Sequence, residues 1–119
     1  MIVDSTALPE QVVDDVIVSG FQSAGQRCSA LRVLFLQEEI ADSVTEMLIG
    51  AMKELKVGDP GNLATDIGPV IDSKALANLQ AHDEDMQKNA TLLYDGKMPA
   101  NKGTFFSPIS NLFFQKKYK

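Results

Sequence analysis

The stretch FQSAGQRCSA, residues 21–30, holds the only cysteine of the chain, Cys28. Arg27 precedes it, Ser29 follows it, and Gly25 stands three residues before it. A thiol at such a corner can act as a nucleophile. Gly25 lets the backbone turn tightly, the charge of Arg27 favours a thiolate, and backbone N–H groups freed at a corner stabilise an oxyanion on an attacked carbonyl. The same cysteine can equally be a small buried hydrophobe packed against Phe21 and Val33, the common fate of a single thiol. Residue types alone leave both readings open.

Other chemistries find less support. His82 has no second histidine or cysteine nearby, so no metal-ligand spacing is present. Its neighbours Asp83, Glu84 and Asp85 mark a solvated helix face. The segment GDPGN, residues 58–62, has glycines but neither the lysine nor the strand-to-helix setting of a phosphate loop. A single cysteine forms no internal disulfide and no Cys-x-x-Cys redox pair.

Composition narrows the class further. With 119 residues, 45% of them hydrophobic, the chain suits one small domain. A net charge of −5 argues against nucleic acid as a partner, because phosphate binding needs clustered lysine and arginine. The one basic cluster, Lys116, Lys117 and Lys119, reads as a solvated tail. The opening MIVDSTALPE lacks the positive-then-apolar pattern of a signal peptide. No apolar stretch approaches the roughly 20 residues of a membrane helix. The expectation is a cytoplasmic protein without a membrane segment.

The elements that must position Cys28 follow from periodicity. Residues 1–4 read as a short strand. Residues 5–25 read as a helix with Val12, Val13, Val16, Ile17, Gly20 and Phe21 on its apolar face, Pro9 in its first turn and Gly25 as its stop. The continuous apolar run ALRVLFLQ, residues 30–37, predicts a strand covered on both faces. A second helix, residues 38–58, carries the stripe Ile40, Val44, Met47, Leu48, Ala51 and Leu55. Residues 59–72 read as a loop. Asp72 or Ser73 then caps a weaker helix to about residue 88, with Leu76, Leu79 and Met86 as its apolar positions. Strands are expected at 90–96 and 103–109, the second ending near Pro108 at a sheet edge. This order predicts an α/β fold, layered, with a mainly parallel sheet and flanking helices.

Residues 21–30 also resemble the active-site cysteine signature of the aldehyde dehydrogenase superfamily. That signature has an aromatic or apolar residue seven positions before the cysteine, Gly-Gln three and two before it, and small residues after it. The flanks agree: MIVDSTALPEQVVDDV resembles the strand and helix before the cysteine, GDPGNLATDIGPVID the Gly-Asp-Pro…Gly-Pro connection, and GKMPANKGTFFSPI the Gly-x-Phe-x-x-Pro region. Within the superfamily, residues 1–38 are most similar to the glutamate-semialdehyde (1-pyrroline-5-carboxylate) dehydrogenase domain of bifunctional proline-utilisation enzymes.

The resemblance implies part of an aldehyde dehydrogenase catalytic domain at residues 1–109 and an atypical tail at 110–119. It implies Cys28 as the nucleophile with its own N–H as an oxyanion donor. Arg27 and Ser29 would help shape the site of a carboxylate-bearing aldehyde. The complete enzyme would use NAD and assemble as a homo-oligomer. The family's catalytic glutamate, in a Glu-x-Gly-Gly stretch, would lie upstream of Met1, and its oxyanion asparagine and dinucleotide-binding domain further upstream. SNLFFQKKYK stands where a Glu-x-Phe-Gly-Pro segment is usual. The expectation is therefore an internal fragment that keeps the nucleophile, holds no cofactor site and is inactive alone. The rival expectation is a non-catalytic folded domain that self-associates.

Overall fold

In the computed structural model, residues 1–97 and 103–112 are described. The first half of the chain alternates strand and helix: β1 (Ile2–Val3), α1 (Pro9–Phe21), β2 (Phe35–Leu36) and α2 (Glu38–Glu54). Strands β1 and β2 pair in parallel, Ile2 opposite Phe35 and Val3 opposite Leu36, with α1 as the crossover. Phe35 N–H donates to Met1 O and Gln37 N–H to Val3 O, both at 2.9 Å. In the second half α3 (Ser73–Asn89) leads into β3 (Thr91–Asp95), which pairs antiparallel with β4 (Ile109–Leu112). The class is α/β, with one parallel and one antiparallel pair among the described residues.

The core lies between α1, α2 and the inner face of the parallel pair. Val12, Val13 and Val16 recur at helical spacing and meet Val44, Leu48 and Met52, with Val3 beneath them. Leu31, Leu34, Leu36, Ile40 and Tyr94 pack around this cluster. Each such side chain contributes roughly 1.5–3 kcal/mol when fully buried. Pro9 starts α1, where its missing N–H costs nothing. Glu38 and Glu39 lie in the first turn of α2 and Lys53 in its last turn, where each suits the helix dipole. The α3 cap falls at Asp72, whose Oδ1 accepts from Ala75 N–H at 2.7 Å.

Several expectations change. The run 30–37 is not a strand covered on both faces, since only Phe35 and Leu36 form ladder pairs. Leu34 and Leu36 turn toward the helices, while Ile2, Val33 and Phe35 are exposed on the opposite face. A strand this short takes its side-chain alternation from a single neighbour, so one face stays open. Helix α1 stops at Phe21 rather than at residue 25 because Gln22 turns extended and the next residues become left-handed. The last strand starts after Pro108 rather than ending there. Pro108 has no N–H to give, and its carbonyl instead accepts from Gly96 N–H at 2.9 Å.

The 59–72 loop is more anchored than its composition suggests. Ile67 and Val70 are buried, and Ile67 forms an isolated bridge with Val57. The Asp66 carboxylate accepts from Lys56 N–H at 2.8 Å, and Asp59 Oδ1 from Gly61 N–H at 2.8 Å. The basic residues Lys116, Lys117 and Lys119, and most of the expected 110–119 tail, lie outside the described residues.

Candidate functional site

Beyond the end of α1 the backbone makes a left-handed corner. Ser23, Ala24 and Gly25 have φ of 55°, 53° and 66°. Each non-glycine residue in that region costs roughly 1–2 kcal/mol, so the corner stores strain at Ser23 and Ala24. Glycine is required at position 25 on two grounds. Its φ is positive, and a Cβ there would stand 2.9 Å from Gly20 O and 3.2 Å from Arg32 Nη1. Gln26 N–H closes the corner onto Ser23 O at 3.1 Å.

A second turn follows at once. Ala30 N–H donates to Arg27 O at 3.1 Å, which places Cys28 and Ser29 at the two central positions of a β-turn. Cys28 is a free thiol, exposed to solvent. The buried-hydrophobe alternative therefore fails for this chain. Among the described residues the Cys28 N–H has no backbone acceptor, as befits the second residue of such a turn. Arg27 is exposed, and its Nε donates to Ser23 Oγ at 3.2 Å across the corner. Ser29 is also exposed; its carbonyl accepts from Ser19 Oγ at 3.5 Å, and Leu31 N–H donates to Ser19 O at 3.1 Å. The exit from the turn is thus fastened to α1.

The structure brings Arg27, Cys28 and Ser29 together on one exposed turn, as their adjacency requires. It leaves His82 exposed on α3 among acidic neighbours. No cluster of histidine, cysteine, aspartate and glutamate suited to a metal occurs among the described residues. Two shallow depressions, one between Asp42, Glu46 and Lys53 and one between Lys53, Tyr94 and Lys97, lack a strand-to-helix glycine turn for a pyrophosphate. No described helix is long and apolar enough to cross a membrane.

Gln26 has a task beyond its place in the cysteine motif, one its sequence neighbours do not announce. Its side chain reaches residues 69–71, more than forty positions away, and no local periodicity announces such a contact.

Comparison with known proteins returns a match to the model of the aldehyde dehydrogenase family over residues 1–111. The bifunctional protein PutA of Escherichia coli is 53% identical over 115 residues, which cover 91% of this chain and 9% of that protein. A 1-pyrroline-5-carboxylate dehydrogenase of a Geobacillus species is 33% identical over 108 residues, covering 91% of this chain and 21% of its own length. A crystal structure of proline utilization A (PutA) from Bradyrhizobium japonicum superposes with a TM-score of 0.92 at 51% identity, covering 97% of this chain and 12% of that one. The chain thus spans about a tenth of the PutA relatives it matches.

Proposed function

Because the chain belongs to the aldehyde dehydrogenase family, we propose that it forms the nucleophile-bearing part of a site that oxidises glutamate semialdehyde, the open form of 1-pyrroline-5-carboxylate, to glutamate. The observation that supports this most directly is the exposed Cys28 thiol at the second position of a turn, its N–H without an acceptor among the described residues. The thiolate sulfur adds to the aldehyde carbon, the C=O electron pair moves onto oxygen, and a thiohemiacetal forms. The Cys28 N–H donates to the developing oxyanion. Arg27 and Ser29, exposed on either side, would meet the carboxylate of the substrate. Loss of hydride from that adduct gives a thioester, which water cleaves to release glutamate and the thiol. NAD, when bound in the complete enzyme, would supply the hydride acceptor. Its binding site, the base that activates water and the oxyanion asparagine belong to other parts of the catalytic domain.

The 119-residue chain alone should therefore form no NADH from 1-pyrroline-5-carboxylate above a Cys28→Ala control. Grafted in place of the matching stretch of E. coli PutA, it should support NADH formation. In that graft Cys28→Ala should lower the rate by on the order of a thousandfold or more. A graft that stays active without the Cys28 thiol overturns the assignment.

A further inference from the structure

We propose that Gln26 is a positioning residue that moors the Cys28 turn to the 69–71 segment through its side-chain carboxamide, an inference that rests on Cys28 being the nucleophile. Nε2 donates to Ser23 O at 2.9 Å and to Pro69 O at 3.4 Å, and Oε1 accepts from Ile71 N–H at 2.8 Å. Both amide hydrogens and the carbonyl oxygen are thus used. Only one orientation of the amide satisfies two carbonyls and one N–H at once. Glutamate has no hydrogens to donate, and asparagine is shorter by a methylene.

Both ends of the tie matter. At one end Ser23 heads the left-handed corner, whose strain must be offset by contacts from outside it. At the other, the mooring is firm. Val70 is buried, its N–H donates to Thr104 O at 2.8 Å, and its carbonyl accepts from Thr104 Oγ1 at 2.6 Å. Gln26 therefore joins the thiol turn to a segment already pinned by residues near position 104. Cys28 stands two residues beyond the tie, so its place depends on the amide although Gln26 itself does no chemistry.

Gln26→Met keeps the length of the side chain and removes every polar contact. Gln26→Glu keeps the acceptor for Ile71 N–H and loses the donors. In the 119-residue chain, Gln26→Met should speed hydrogen exchange at the Ile71 amide by roughly tenfold and move Cys28 alkylation by iodoacetamide toward the rate of the unfolded chain. Gln26→Glu should preserve Ile71 protection, while loss of the donors to Ser23 O and Pro69 O should still move Cys28 alkylation part of the way toward the unfolded-chain rate. Simple space-filling would not separate the two variants in this way. In the PutA graft, Gln26→Met should lower kcat by about tenfold with KM little changed. Unchanged Ile71 exchange and an unchanged alkylation profile in folded Gln26→Met overturn the proposal. If that variant does not fold, Gln26→Glu decides, and a Cys28 alkylation rate identical to the parent overturns it. Failure of the nucleophile reading shows differently, as graft activity surviving Cys28→Ala, and leaves the Ile71 exchange result standing.

Discussion

The molecule joins two halves built on different principles. Residues 1–55 are held by a shared apolar interior in which α1, α2 and the parallel pair bury Val12, Val16, Val44, Leu48 and Met52 together. Residues 56–97 and 103–112 are held by the β3–β4 ladder and by point contacts. Ile67, Val70, Met86 and Phe105 are buried as scattered anchors, and Asp59, Asp66, Asp72, Thr104 and Ser107 make side-chain hydrogen bonds to Gly61, Lys56, Ala75, Val70 and Asp95 respectively. Tyr94 links the halves by packing on the core and donating to Met52 O at 3.5 Å. The Cys28 turn leaves the apolar half and is tied by Gln26 to the polar one. A loop placed this way takes rigidity from one side and adjustable polar contacts from the other.

Truncating the interior of the first half should have the largest effect. Met52 has no exposed surface, so Met52→Ala should cost about 2–5 kcal/mol, read as a fall in the urea midpoint. Leu63→Ala, at a fully exposed loop position, should leave the midpoint within about 0.5 kcal/mol of the parent. Equal losses at the two sites would erase the distinction between the halves.

A smaller loss is expected in the second half. Asp72→Ala removes the α3 cap and should cost about 1 kcal/mol. Residue-resolved hydrogen exchange should show α3 opening while α1 and α2 keep their protection. If α1 and α2 open to the same extent, the halves form one cooperative unit and the contrast fails.

The smallest effect concerns Asp4, between β1 and α1. The Thr6 hydroxyl, and after it the Thr6 N–H, donates to its carboxylate and holds its pKa below the ordinary value. A carboxyl lowered in the folded state contributes stability that is complete above the ordinary value of about 3.9 and is lost as pH falls through the lower folded value. Thermal melts of Asp4→Asn and the parent should differ slightly at neutral pH and converge in acid. A gap that persists or widens in acid would contradict this linkage.

The apolar half was the legible one. Valines at 12, 13 and 16, and the Val44–Leu48 step, announce helices through their period, and the cysteine signature stands in contiguous residues. Less legible was the depth of each position. Met47 lies on the expected stripe yet is partly exposed, while Met52, outside it, is the most buried. A helix pattern gives a face, whereas the neighbouring element decides where along that face burial is deepest. The end of α1 was misplaced because a left-handed serine and alanine contradict their own local preferences and persist through contacts made elsewhere. The Gln26 tie and the buried Ile67 and Val70 were invisible for a related reason. They depend on segments distant in sequence, and a loop rich in glycine, proline and aspartate carries no period to mark its anchors.

The parallel pairing of β1 with β2 also sets an order of events in time. Each strand has two residues, and their ladder hydrogen bonds join Met1 to Phe35 and Val3 to Gln37 across the whole of α1. So short a ladder cannot repay the entropy of closing so long a loop by itself. Once α1 has formed and docked on α2, the intervening chain is already shortened and the two strand ends lie side by side. The pair should therefore close late in folding. The amides of Phe35 and Gln37, which donate to Met1 O and Val3 O, then become clocks for completion: in pulse-labelled refolding they gain protection after the amides of α1 and α2.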